Sequence, residues 1–147
     1  MKKQEKYFEL CNYKRQKTMI RQDYLIRMIQ EIFAAIANLI LRRKRLNQAD
    51  WEEYESTARQ ILGVTPEQLA QMDGERLLEQ YQDEQDGIEK IELAAMMMLK
   101  MAEDTKDIVP KARLQQEGVA LLKYVQAHGK TYSLPRELLI QFLESRH

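Results

Sequence analysis

The sequence predicts an all-α protein of six to seven helices, and three observations support this. The 147-residue chain is dominated by good helix formers such as Ala, Leu, Met, Gln, Glu, Lys and Arg, whereas Val and Thr are scarce. Apolar residues recur at three- and four-residue spacings over most of the length. The pattern breaks at short segments rich in capping and turn residues, which indicates antiparallel helices packed pairwise.

The first predicted helix is the most strongly patterned one and starts at Ile20. Its apolar positions are Leu25, Met28, Ile29, Ile32, Phe33, Ile36, Leu39 and Ile40. It ends in four cations, which suit the negative end of a helix dipole, and the turn-prone Asn47 follows. Its most apolar stretch, residues 32–41, is about half as long as a bilayer-spanning helix.

Cap residues bound the next two predicted helices. Asp50 is the expected N-cap of the second helix, which stops at Gly63. Thr65, followed by Pro66 and Gln68, has the spacing of a capping box and starts a short third helix.

The remaining predicted helices follow at regular intervals. They cover residues 75–81, residues from Ile88 to Met101, residues 107–126 and residues 135–145. The helix from Ile88 is apolar on most sides, which predicts that it is buried on most sides. Gly118 lies in mid-helix and indicates close helix packing, and Leu138 is among the residues expected to face inward.

The chain length favours a single domain, assigned to residues 19–147. Residues 1–18 are basic and polar, so we expect a poorly ordered extension or a loosely attached helix. Met19 is an alternative to Met1 as the native start. Cys11 is the single cysteine, which excludes an internal disulfide, and no apolar run resembles a secretory signal. We therefore expect a cytoplasmic protein.

Charge is segregated along the chain although the net charge is zero. Residues 1–48 carry 12 basic and 4 acidic residues, residues 49–104 carry 4 and 15, and residues 105–147 carry 7 and 4. Such separation predicts oppositely charged surfaces that attract each other within the molecule, between copies, or toward another partner.

Catalytic and metal-binding patterns are missing from the sequence. Histidines and cysteine are too few and too scattered for a metal site, and no glycine-rich phosphate loop occurs. The pairs Glu89 with Glu92 and Glu75 with Glu79 fit solvated helix faces better than acid–base chemistry. We therefore expect no enzymatic activity and no cofactor or metal.

Two features are candidate partner-binding surfaces. The first consists of Arg42, Arg43, Lys44 and Arg45, which could meet lipid headgroups or nucleic-acid phosphates. The favoured alternative is a capped, dipole-matched helix end that faces the acidic middle of the same fold. The second comprises Met96, Met97 and Met101. Flexible methionines can form an adaptable binding groove, but core filling is the favoured interpretation of this cluster.

Residues 19–29, MIRQDYLIRMI, and residues 129–133, GKTYS, resemble an uncharacterised family of small bacterial proteins that form a domain of unknown function. In that family the chain opens at the equivalent of Met19. The resemblance implies no activity or cofactor. Its helix-pair layout is similar to tetratricopeptide-like folds, but no 34-residue repeat is visible, so an irregular bundle is the alternative.

The leading functional hypothesis is a non-enzymatic helical scaffold or adaptor that binds a protein or peptide, with a second copy of the chain as one candidate. The alternative is peripheral association with an anionic membrane or nucleic acid through the basic N-terminal half. Nucleic acid is the less favoured of these, because aromatic residues do not interleave with the basic ones.

Overall fold

The computed structural model describes the backbone of residues 7–146 and the side chains of residues 22–146. Within these residues the chain forms seven α-helices and no β-strand, which confirms the predicted all-α class. The helices are α1 (Tyr7–Arg42), α2 (Gln48–Leu62), α3 (Pro66–Gln71), α4 (Gly74–Tyr81), α5 (Gly87–Asp104), α6 (Ile108–His128) and α7 (Leu134–Ser145).

Helix α1 is longer than the sequence pattern predicted. Its backbone is helical from Tyr7 rather than from Ile20, so it includes most of the segment assigned to an extension. The side chains of residues 1–21, Met19 and Cys11 among them, lie outside the described residues. The separate extension and the alternative start therefore stay predictions.

The N-cap of α2 is Asn47, and the prediction of Asp50 was wrong. The Asn47 side chain accepts a hydrogen bond from the Asp50 backbone N–H at 3.1 Å. Gln48 and Ala49 are good helix formers, so the helix extends back to the first residue that can cap it. The predicted stop at Gly63 (φ 77°) and the capping box between Thr65 and Gln68 are confirmed.

Helix α5 forms the centre of the core. Helices α1, α2, α3, α4 and α6 all pack against it, and α7 packs against α6 and α1. A Cβ atom on Gly118 would lie 2.8 Å from Leu99 Cδ2 and 3.2 Å from the Ala95 carbonyl oxygen, which confirms the close α5–α6 packing. Contacts organised around one helix describe an irregular bundle, and tetratricopeptide-like packing is not confirmed.

Two contacts show which ends of the helices lie together. Lys100 Nζ near the end of α5 lies 4.5 Å from the centre of the Trp51 ring at the start of α2. The Arg146 guanidinium at the end of α7 lies 3.3 Å from the Glu103 carboxylate. The α1–α2 turn, the α5–α6 turn and the end of α7 therefore share one end of the bundle, which we call the cationic end.

Candidate functional site

A cleft of about 920 Å³ lies between α1 and the start of α7. One wall is α1 from Gln22 to Arg42, and the other combines the first turns of α5, the α6–α7 loop and the first turns of α7. Its volume is at the upper end of the range for binding sites in proteins.

The α1 wall is apolar because two neighbouring stripes of this helix are apolar. One stripe fills the core through Ile29, Ile32, Ile36 and Ile40, each at most 3% exposed. The other lines the cleft, with Ile26, Phe33, Ala34, Ala37 and Leu41. By length and composition, the whole segment Gln22–Arg42 could span a membrane, so the apolar stretch is longer than the predicted residues 32–41. Leu41 is 37% exposed, and Ile26 and Phe33 are half-buried, so part of the apolar surface of α1 is uncovered.

The α7 wall contributes two exposed leucines. Leu134 is 58% exposed and Leu138 is 50% exposed, and both line the cleft. They are four residues apart and therefore share one face of the helix. The expectation that Leu138 faces inward was wrong, because the cleft separates this face of α7 from α1. The uncovered leucines continue the apolar surface of α1 across the cleft.

A buried ion pair lies in the cleft wall where α7 meets α5. Arg136 Nε donates to Glu92 Oε2 at 2.9 Å, and the Arg136 guanidinium also donates to Gln126 Oε1 at 2.5 Å. The Glu92 and Arg136 side chains are only 14% and 10% exposed. The prediction of a solvated acidic face was therefore wrong for Glu92.

The other carboxylates of the predicted acidic faces are distributed differently. Glu89 is half-buried and lines the cleft next to Glu92. Glu75 and Glu79 on α4 are exposed, as predicted. Among the described residues, no group of three His, Cys, Asp or Glu side chains converges in a way that could hold a metal ion.

The four cations Arg42, Arg43, Lys44 and Arg45 are all exposed. None of them forms an ion pair with a carboxylate of the described residues, and Arg42 lies in the last turn of α1, as a dipole-matched helix end requires. That this end faces the acidic middle of the fold stays a prediction. Arg43 has a left-handed backbone (φ 55°), and the Lys44 N–H donates to the Asn38 carbonyl at 3.1 Å. Helix α1 therefore ends within this cluster, and the four side chains are exposed to solvent.

The methionine cluster lies inside the molecule. Met96 and Met97 are 0% and 3% exposed, and Met101 is half-buried against the core. Other helices cover α5 on nearly all sides, so consecutive methionines pack against different neighbours. The structure therefore supports core filling, and it contradicts Met96 and Met97 as surface contacts for a partner.

Comparison of the chain with protein-family models, with curated proteins and with solved structures found no match. The cleft geometry and the exposed cations are thus the observations from which a function can be argued. The sequence pattern had singled out the cations but missed the cleft. One signal for the cleft was present: the apolar positions of α1 cover more of the helix than one buried face requires.

Proposed function

We propose that this protein is a helical scaffold that binds an amphipathic helix of a partner protein in the cleft between α1 and α7. The observation that carries the proposal is the apolar surface of α1 that the domain leaves uncovered, together with Leu134 and Leu138 across the cleft. Contiguous exposed apolar surface of this kind is typical of interaction sites.

The composition of the cleft favours a helix as its occupant. Apolar side chains dominate the α1 wall, where Gln22, Gln30 and Asn38 lie at eight-residue intervals, and the opposite wall combines Leu134 and Leu138 with polar side chains. Arg42 and Glu89 add charges of both signs. An amphipathic helix inserts apolar residues at three- and four-residue spacings into such a groove and keeps its polar face toward solvent.

A pair of substitutions on α7 tests the proposal. Leu138→Arg places a charge in the cleft, whereas Gln141→Arg places the same charge on an exposed position of the same helix that does not line the cleft. Both variants and the wild type serve as bait in quantitative affinity purification from the source cell. We expect a partner that the wild type and Gln141→Arg retain and Leu138→Arg loses.

A synthetic peptide from the helical segment of that partner then measures binding directly. We expect Leu138→Arg to weaken peptide binding by about tenfold or more, because a charge would be buried against apolar side chains. Retention of every partner by Leu138→Arg would contradict the proposal. A native mass of two chains that falls to one in Leu138→Arg would instead identify a second copy as the occupant.

A further inference from the structure

The cationic end of the bundle combines exposed charge with exposed apolar side chains. Arg45 lies six residues before Trp51, and Ile108 lies eight residues after Lys100. Because Lys100 and Trp51 are in contact, the α1–α2 turn and the start of α6 lie at the same end of the bundle.

Two neighbouring aliphatic residues at this end are almost fully exposed. Ile108 is 81% and Val109 is 79% exposed, the highest values for large hydrophobic side chains among the described residues. Both lie in the first turn of α6, beyond the core helices. Their exposure is unfavourable in water and becomes favourable if they enter an apolar environment.

Positive charge at this end is concentrated in the α1–α2 turn. Glu103 pairs with Arg146 at 3.3 Å, and Asp104 pairs with Lys100 at 2.5 Å. Four exposed carboxylates remain, which are Asp50, Glu52 and Glu53 at the start of α2 and Asp107 before α6, against Arg42 to Arg45 and Lys106. Because the four cations of the α1–α2 turn are consecutive, the potential at that turn is positive and attracts an anionic surface.

We propose that the cationic end docks on an anionic lipid bilayer. The cations of the α1–α2 turn contact headgroup phosphates, and Ile108 and Val109 insert at the boundary with the acyl chains. A bilayer interface accommodates both kinds of side chain, whereas a nucleic-acid backbone would leave the aliphatic pair exposed to water. This site shares Arg42 with the cleft, but Arg43 to Arg45, Ile108 and Val109 do not line the cleft, and the proposal does not rest on the proposed function.

Vesicle co-sedimentation of the full chain tests the site. We expect binding to phosphatidylcholine vesicles that contain phosphatidylserine, and little binding to phosphatidylcholine alone. Arg43→Gln/Lys44→Gln should weaken binding by about 30-fold, since each cation near an anionic bilayer contributes about fivefold. Ile108→Ser/Val109→Ser should weaken it by about tenfold or more.

The matched control is Arg59→Gln/Arg76→Gln, which removes two exposed cations of α2 and α4 and should bind as the wild type does. Residues 1–21 are present in every variant, so the differences report on the cationic end alone. Equal binding by all variants would overturn the proposal. Duplex DNA binding that depends on Arg43 and Lys44 without anionic-vesicle binding would also overturn it, in favour of nucleic acid.

Discussion

At Tyr81 a phenol hydroxyl is buried within the bundle and donates a hydrogen bond to the Leu62 carbonyl at 2.7 Å. Burial, together with the nearby Glu84 carboxylate, raises the pKa of Tyr81 to about 12. In the unfolded chain the pKa of this group is the ordinary 10.0. The neutral phenol therefore stabilises the fold below pH 10, and its contribution is lost as the pH rises from 10 toward 12.

We predict that Tyr81→Phe makes stability less sensitive to alkaline pH. Between pH 9 and pH 11 the free energy of unfolding should fall by about 1 kcal/mol more in the wild type than in the variant. Urea titrations at a series of pH values measure this difference. Tyr132→Phe, at a 65% exposed tyrosine, is the control and should behave as the wild type. Equal pH slopes for Tyr81→Phe and the wild type would contradict the assignment.

Gly118 lies where α6 packs closely against Leu99 and Ala95 of α5. We predict that Gly118→Ala destabilises the protein by about 1 to 2 kcal/mol, because its methyl group would clash with Leu99 and with the Ala95 carbonyl. This exceeds the gain of about 1 kcal/mol that alanine brings to an open helix position. Thermal unfolding measures the change. Leu99→Ala should cost less in the Gly118→Ala background than alone, and a stabilising Gly118→Ala would refute close packing.

Among the helices, α2 has two candidate N-cap residues, Asn47 and Asp50. We predict that Asn47→Ala destabilises the protein by about 1 kcal/mol, because its side chain accepts a helix N–H that no other group satisfies. Asp50→Ala should cost only a few tenths of a kcal/mol, since Asp50 acts there through the helix dipole. Chemical denaturation compares the two. A larger loss of stability in Asp50→Ala than in Asn47→Ala would show that Asp50 is the cap.

The sequence pattern predicted individual elements well where local chemistry defines them. The capping box at Thr65 and the left-handed stop at Gly63 depend on residues within a few positions of each other, so the sequence contains all the information needed. The start of α1 was missed, because backbone hydrogen bonds can extend a helix into a segment that has no apolar pattern.

At the scale of the whole molecule, the buried ion pair joins α7 to the central helix. We predict that Arg136→Met destabilises the protein by about 1 to 3 kcal/mol, because it leaves the partly buried Glu92 carboxylate without its partner at the wall of the cleft. Arg136→Met/Glu92→Leu should recover most of this loss. Lys123→Met, which breaks the exposed pair with Glu144, is the control and should cost less than about 1 kcal/mol. Equal losses of stability in Arg136→Met and Lys123→Met would contradict this account.

The folded structure also shows which of the segregated charges pair with one another. The sequence separated a basic N-terminal part from an acidic middle, but linear charge does not show which groups meet. In the fold, Arg136 pairs with Glu92 and Arg146 pairs with Glu103, so two acidic residues of the middle are neutralised by the C-terminal helix. The cations of the α1–α2 turn keep no such partner among the described residues.

The sequence by itself determined the helical class, most helix ends and the burial of α5 on most sides, because these follow from local propensity, caps and the spacing of apolar residues. Only the tertiary structure decided which apolar faces are covered. It buried Met96 and Met97, left Leu138 and part of α1 open, and gave Arg42 to Arg45 no carboxylate partner among residues 22–146. A helix presents the same side chains in any bundle, and their burial depends on neighbours that are distant in sequence.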